Sequence, residues 1–132
     1  MRYVIILLSI IAAANAKDKQ LVLYCVETDS TGFYPENESN KLKHTMIKPE
    51  RYTLRVAENY SHIQLTPSDG GIESGFTCRA SDDSKNYYSC SNMIETLTIN
   101  SENLRFTFAR QAGWTAIVEF PIALSYGTCT KF

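Results

Sequence analysis

An all-β domain closed by two disulfides is what this sequence predicts, and three observations carry the prediction. Apolar and polar residues alternate with period two along most of the chain, as in Tyr52, Leu54 and Val56 against Arg51, Thr53 and Arg55. The alternating runs recur at roughly ten-residue spacing, separated by clusters of Gly, Pro, Asn, Asp and Ser. No segment carries a sustained helical period with caps, and the runs are rich in Thr, Val, Ile, Tyr and Phe, whose branched or aromatic side chains suit a pleated surface. About eight to ten short strands of this kind form a barrel or a sandwich, and a single antiparallel up-and-down (meander) barrel is the expected form.

The chain opens on Met1-Arg2, a nearly continuous apolar run from Tyr3 to Ala14, and Ala14-Asn15-Ala16, the small-x-small pattern of a signal-peptidase site. The run is shorter than the ~20 residues that cross a bilayer as a helix. Residues 1–16 therefore read as a signal peptide and 17–132 as one β domain, exported to a periplasm or secreted, with no membrane insertion after cleavage.

Gln20 to Thr28 sets Leu21, Leu23 and Cys25 on one face and Val22, Tyr24 and Val26 on the other, which predicts a strand covered on both sides. Asp29 to Asn40 is dense in breakers and predicts a loop. Lys43 to Lys48 reads as a strand stopped at Pro49. Arg51 to Ala57 follows as a clearer one, then a turn at Glu58-Asn59-Tyr60 and a return strand, Ser61 to Thr66, with Ile63 and Leu65 inward. Pro67 to Gly71 is a turn, since proline presets φ and glycine accepts positive φ. Glu73 to Arg79 and Tyr87 to Ser91 predict a hairpin whose polar middle, Arg79 to Ser89, is a long loop. Met93 to Asn100 and Leu104 to Arg110 predict a second hairpin across Asn100-Ser101-Glu102-Asn103. Trp114 to Phe120 and Ile122 to Cys129 complete the strands.

Four cysteines in an exported chain read as two disulfides, and three pairings are possible. The expected one joins Cys25 to Cys129, bringing the two ends together, and Cys78 to Cys90 across the first hairpin. A zinc site is disfavoured because no Cys-x-x-Cys or His-x-x-x-His spacing occurs. The formal net charge is −1, and Arg2 leaves with the signal. So balanced a chain lacks the clustered Lys and Arg of a nucleic-acid binder.

Residues that could carry chemistry are few. Gly71-Ile72-Glu73-Ser74-Gly75 lacks the spacing of a nucleophile elbow and the helix that an elbow needs. His44 and His62 are the only imidazoles, and both lie in strand-like runs. Ser30 interrupts the D-T-G pattern in Asp29-Ser30-Thr31-Gly32. Asp82-Asp83 lacks the alternating acids of a calcium loop. No metal, cofactor or catalytic set emerges. The surplus is aromatic: Phe33, Tyr34, Tyr87, Tyr88 and Trp114, with Tyr60, fall at expected loops or strand ends, where such side chains would form a binding rim. Asn37-Glu38-Ser39 and Asn59-Tyr60-Ser61 match the glycosylation sequon, which matters only where secretion passes through an endoplasmic reticulum.

The four cysteines, the strand pair Thr96-Leu97-Thr98-Ile99-Asn100 and Leu104-Arg105-Phe106-Thr107-Phe108, and the ending Tyr126-Gly127-Thr128-Cys129 resemble a set of small exported proteobacterial and phage-encoded β proteins. The resemblance implies architecture and export. A fainter likeness is to the periplasmic inhibitors of C-type lysozyme, which are small exported barrels with a Ser-Gly loop that enters the lysozyme cleft. It implies that role for Ser74-Gly75, although Cys78 stands where that family's S-G-x-x-Y pattern has tyrosine. The function expected is a non-enzymatic exported domain that binds a protein or an envelope component. The alternatives are a lysozyme-inhibitor-like barrel and a small secreted hydrolase acting through His44 or His62.

Overall fold

Alternation of this kind buries one face of each strand, and a single sheet can bury that face only by curling onto itself. The structure is a computed structural model that describes residues 19–36, 41–111 and 121–132. Its strands are β1 Leu21–Pro35, β2 Leu42–Met46, β3 Arg51–Val56, β4 His62–Pro67, β5 Ser74–Ser81, β6 Ser84–Ser91, β7 Glu95–Asn100, β8 Arg105–Arg110 and β9 Ile122–Lys131. From β3 to β9 each strand pairs antiparallel with the next, and β1 lies between β3 and β9, closing an eight-stranded barrel. The remaining described strand, β2, stands outside the ring and, among the described residues, pairs only with the far half of β1.

β1 therefore serves three neighbours. On one edge Leu21 to Val26 pairs with β3 and Thr31 to Pro35 with β2, while the other edge pairs with β9 from Leu23–Lys131 to Phe33–Ile122. The segment Asp29 to Pro35, expected as loop, is strand. Breaker residues are tolerated there for specific reasons. Gly32 faces inward so close to β9 that a Cβ would overlap the Ile122 carbonyl oxygen. Pro35 lies beyond Ile122, the last β9 residue paired with β1, so no β9 carbonyl waits for the N–H that it lacks.

Two further expectations are corrected. Arg79 to Ser89 is not a long loop: β5 runs to Ser81 and β6 starts at Ser84, leaving Asp82-Asp83 as the turn. The stretch is polar because the projecting hairpin is wet on its outer face, not because it is irregular. β1 is also not covered on both sides. Tyr24 and Val26 face solvent, and the Tyr24 ring meets Phe132 edge-on at 5.5 Å. The expected strand from Trp114 to Phe120, Asn37 to Ser39 and residues 1–16 lie outside the described residues.

The core follows the alternation closely. Tyr52, Leu54 and Val56 are buried, as are Leu23, Ile63, Leu65, Phe76, Leu97, Ile99, Phe106 and Phe108. Both expected disulfides form, each between residues directly opposite in register, Cys25 with Cys129 and Cys78 with Cys90. They mark an oxidising, non-cytoplasmic environment. Leu21, Leu104 and the stacked pair Tyr60–Tyr88 (ring centroids 4.5 Å apart) close one end of the barrel.

The two bridges constrain loops of very different length, with sequence separations of 104 and 12. Replacing Cys25 and Cys129 by alanine is expected to lower unfolding free energy by about 4–5 kcal/mol, and replacing Cys78 and Cys90 by about 3 kcal/mol, measured by denaturant titration. Gly127→Ala should cost about 1–3 kcal/mol by overpacking. Its Cβ would overlap the Val26 carbonyl oxygen and fall 2.8 Å from Glu27 Cα.

Candidate functional site

At the end opposite Tyr60 and Tyr88 the inward residues change from apolar to polar: Glu27, Ser30, Glu95 and Ser125 are all buried. The cause on β1 is a bulge. Its register with β9 shifts between Glu27 and Asp29, so the inward series Leu23, Cys25, Glu27 continues as Ser30 and Gly32.

Glu27 is only 5% exposed. Its Oε1 accepts hydrogen bonds from Tyr52 Oη at 2.6 Å and Ser125 Oγ at 2.5 Å, and its Oε2 accepts one from the Glu50 N–H at 2.8 Å. No cation touches it among the described residues, so these donors replace the water lost on burial. The Glu27 N–H in turn donates to the Glu50 carbonyl at 3.0 Å. Tyr52 Oη also lies 3.0 Å from Glu50 Oε2, but a phenol carries one hydrogen and the shorter contact claims it. Burial above all, then the hydrogen bond and charge of Glu27 and the charge of Glu50, raises the Tyr52 pKa, against a smaller opposing effect of Arg110.

Arg110 ties the outer part of the network. Its Nη2 is 3.4 Å from Glu50 Oε2, its Nε is 3.5 Å from Glu95 Oε1, and its guanidinium lies 5.1 Å from the centre of the Phe108 ring. Asn92 holds Glu95 from the other side: Nδ2 donates to Glu95 Oε2 at 3.1 Å, and Oδ1 accepts the Ile94 and Glu95 N–H groups at 2.9 and 2.8 Å. Glu50, Arg110 and Glu95 thus form a strap across the barrel mouth, with the carboxylates outnumbering the one cation.

Two hollows flank this strap and share Glu50 and Asp69. A groove of about 800 Å³ runs past Tyr34, Met46, Ile47, Pro49 and Ser68. A recess of about 450 Å³ lies between Pro67, Ile72, Ile94 and Pro121 above Glu95 and Arg110. Ile72 is 92% exposed, an apolar side chain held in water at the recess edge.

The aromatic residues expected to form one rim are divided. Tyr34 lines the groove and Phe33 stands on the outer face, edge-on to His44 at 5.7 Å. Tyr87 is exposed on β6 and Tyr88 stacks on Tyr60, both towards the opposite end, because the short Asp82-Asp83 turn carries them down the barrel wall. Trp114 lies outside the described residues. Ser74 and Gly75 are not in a projecting loop: they pair with Leu65 and Gln64 of β4, and Glu73 pins that corner through Gln64 Nε2 at 2.7 Å and Thr66 Oγ1 at 3.0 Å. His44 meets Thr31 Oγ1 at 2.8 Å and His62 meets Ser61 Oγ at 3.0 Å. Asp82 and Asp83 are exposed, and no group of acids, histidines or cysteines suited to a metal occurs among the described residues.

Sequence reasoning missed Glu27, Glu50, Tyr52, Glu95 and Arg110 as a set. A signal was present: Glu27 follows Leu23 and Cys25 in the inward phase, and Glu95 precedes Leu97 and Ile99 in theirs. A charged residue in an apolar phase marks a buried polar site. No family model, no curated protein and no solved structure matches the chain.

Tyr52→Phe leaves Glu27 one donor short and is expected to cost about 1–3 kcal/mol at neutral pH. The pH dependence follows from the raised Tyr52 pKa. The phenol stays neutral in the fold but ionises in the unfolded chain near the ordinary value of about 10, so its contribution is complete below that pH and is lost as pH rises further. Stability of the wild type should therefore fall above about pH 10 more steeply than that of Tyr52→Phe, by up to about 1.4 kcal/mol per pH unit. Denaturant titrations of both proteins between neutral and alkaline pH would check it.

Proposed function

We propose that this protein is an exported, non-enzymatic binding domain that engages a partner protein or an envelope component with the strapped end of its barrel. The observation that carries this reading is the pair of hollows on either side of a floor held in place by the Glu50–Arg110–Glu95 strap. A concave surface with apolar edges and oriented polar groups is what recognition sites share, and a fixed floor reduces the entropy lost on binding. The two disulfides agree with an oxidising compartment, and the small-x-small ending of the apolar run at residues 1–16 agrees with export by signal peptide.

The alternatives draw less support. Each histidine meets a hydroxyl, and neither meets a carboxylate among the described residues, so a hydrolase would lack its oriented base. Ser74 and Gly75, as paired strand residues, leave the lysozyme-inhibitor likeness without an entering loop.

Ile72→Asp places a charge at the recess edge with little cost to the fold, because the native side chain is almost wholly in water. Wild-type protein immobilised in its oxidised form is expected to retain a defined partner from periplasmic extract or culture fluid, and Ile72→Asp to lose at least about tenfold in retention, the cost of stranding a charge in a contact. Equal capture by both proteins, or none by either, would overturn the reading.

A further inference from the structure

We infer that the groove receives an extended peptide segment of the partner, added as a strand to the free edge of β2. The inference rests on the reading of this end as a binding surface and supplies its mode.

β2 and β3 pair with the same edge of β1 in one continuous register, Thr31 with Met46 and Val26 with Arg51, interrupted only around residues 47–50. They are two parts of one run along β1. β4 covers the outer edge of β3 but leaves at Pro67, and the last bond of that line is from the Ser68 N–H to the Arg51 carbonyl at 2.9 Å. Beyond Ser68 the outer edge of β2 has no strand beside it among the described residues. The 800 Å³ groove lies at that point, bounded by Met46 and Ile47 on one side and by Ser68 and Asp69 at its end. It occupies the place that β4 would fill had it continued.

Which backbone groups face this place follows from the ladder. The Ile47 N–H donates to the Ser30 carbonyl at 3.0 Å and the Glu36 N–H to the Lys41 carbonyl at 2.7 Å, so residues 41, 43, 45 and 47 point their backbone at β1. Leu42, His44 and Met46 therefore point theirs outward, and none of these groups is hydrogen-bonded within the described residues. An unpaired edge is a template for another chain, and peptide recognition by strand addition uses it. The direction of β4 makes the added strand antiparallel to β2. Its inward side chains would meet Tyr34 and Ile47, so alternate apolar residues suit it. Lys48 and Asp69 at the rim are of opposite sign, so a strongly charged segment is disfavoured.

A displayed library of random twelve-residue peptides, panned against the oxidised protein, supplies the probe. The tightest binder is then titrated into isotope-labelled protein. The Leu42, His44 and Met46 amides should gain protection from hydrogen exchange, while Lys43 and Thr45, already bonded to β1, change little. Met46→Pro removes one outward N–H without touching the bonds to β1 and should weaken binding by at least about tenfold, whereas Met46→Ala, which keeps the N–H, should lose less. N-methylation of alternate peptide residues should abolish binding and tests the same bonds should Met46→Pro fail to fold.

Binders indifferent to Met46→Pro and to N-methylation that compete instead at Ile72 would overturn strand addition and leave the binding domain standing. An empty selection together with an empty partner capture would remove both. A concentration-dependent dimer abolished by Met46→Pro would assign the edge to a second copy of this chain and overturn the peptide.

Discussion

The change of phase in β1 between Glu27 and Asp29 is the constraint on which the rest of the barrel's open end depends. Without it, residues 29–35 would continue the ladder with their faces exchanged, and the serine and glycine that now lie inside would face solvent. With it, one strand can be a barrel stave over its first half and support an outside strand over its second. The bulge also brings Glu27 and Ser30 to the inner face together, which is why the polar character of this end is concentrated and not scattered along the wall.

A buried carboxylate makes such an arrangement demanding. Glu27 is held by groups from β3, β9 and the approach to β3, so three elements must be in register before its charge is satisfied. The network therefore contributes specificity of pairing as well as stability, since a one-residue slip of any partner would leave the carboxylate unpaired. The outer strap adds less energy than order. Arg110 and Glu50 are each about one-third exposed, and pairs of that kind contribute on the order of 0–1 kcal/mol.

Much of the fold was legible in the sequence because burial writes period two directly. Tyr52, Leu54, Val56, Ile63, Leu65, Phe106 and Phe108 stand where alternation puts them, and both cysteine pairs form as expected. The failures share a cause. Asp29 to Pro35 and Arg79 to Ser89 are loop-like in composition, and Gly, Pro, Asp and Ser do break strands when nothing opposes them. Here β9 and β2 on one side, and the Cys78–Cys90 pairing on the other, supply tertiary contacts that outweigh local preference. The site was legible only in part. Glu27 and Glu95 stood out of phase with their neighbours' apolarity, but which charges meet across a closed barrel depends on strand order and stagger, and a period-two pattern carries neither. The same holds for the aromatic residues: Tyr34 and Tyr88 look alike in sequence and lie at opposite ends of the barrel.

The placement of the Cys25–Cys129 bridge has a mechanical consequence. Leu23 pairs with Lys131, so the chain enters and leaves the described fold as adjacent antiparallel strands at the end away from the strap. Tension applied between two such strands would ordinarily unzip them one hydrogen-bonded pair at a time. Here the covalent bridge comes at the second residue pair beyond Leu23–Lys131, and the load passes from one end to the other through the sulfurs. The remainder of the barrel, with its groove and strap, stays outside the load path.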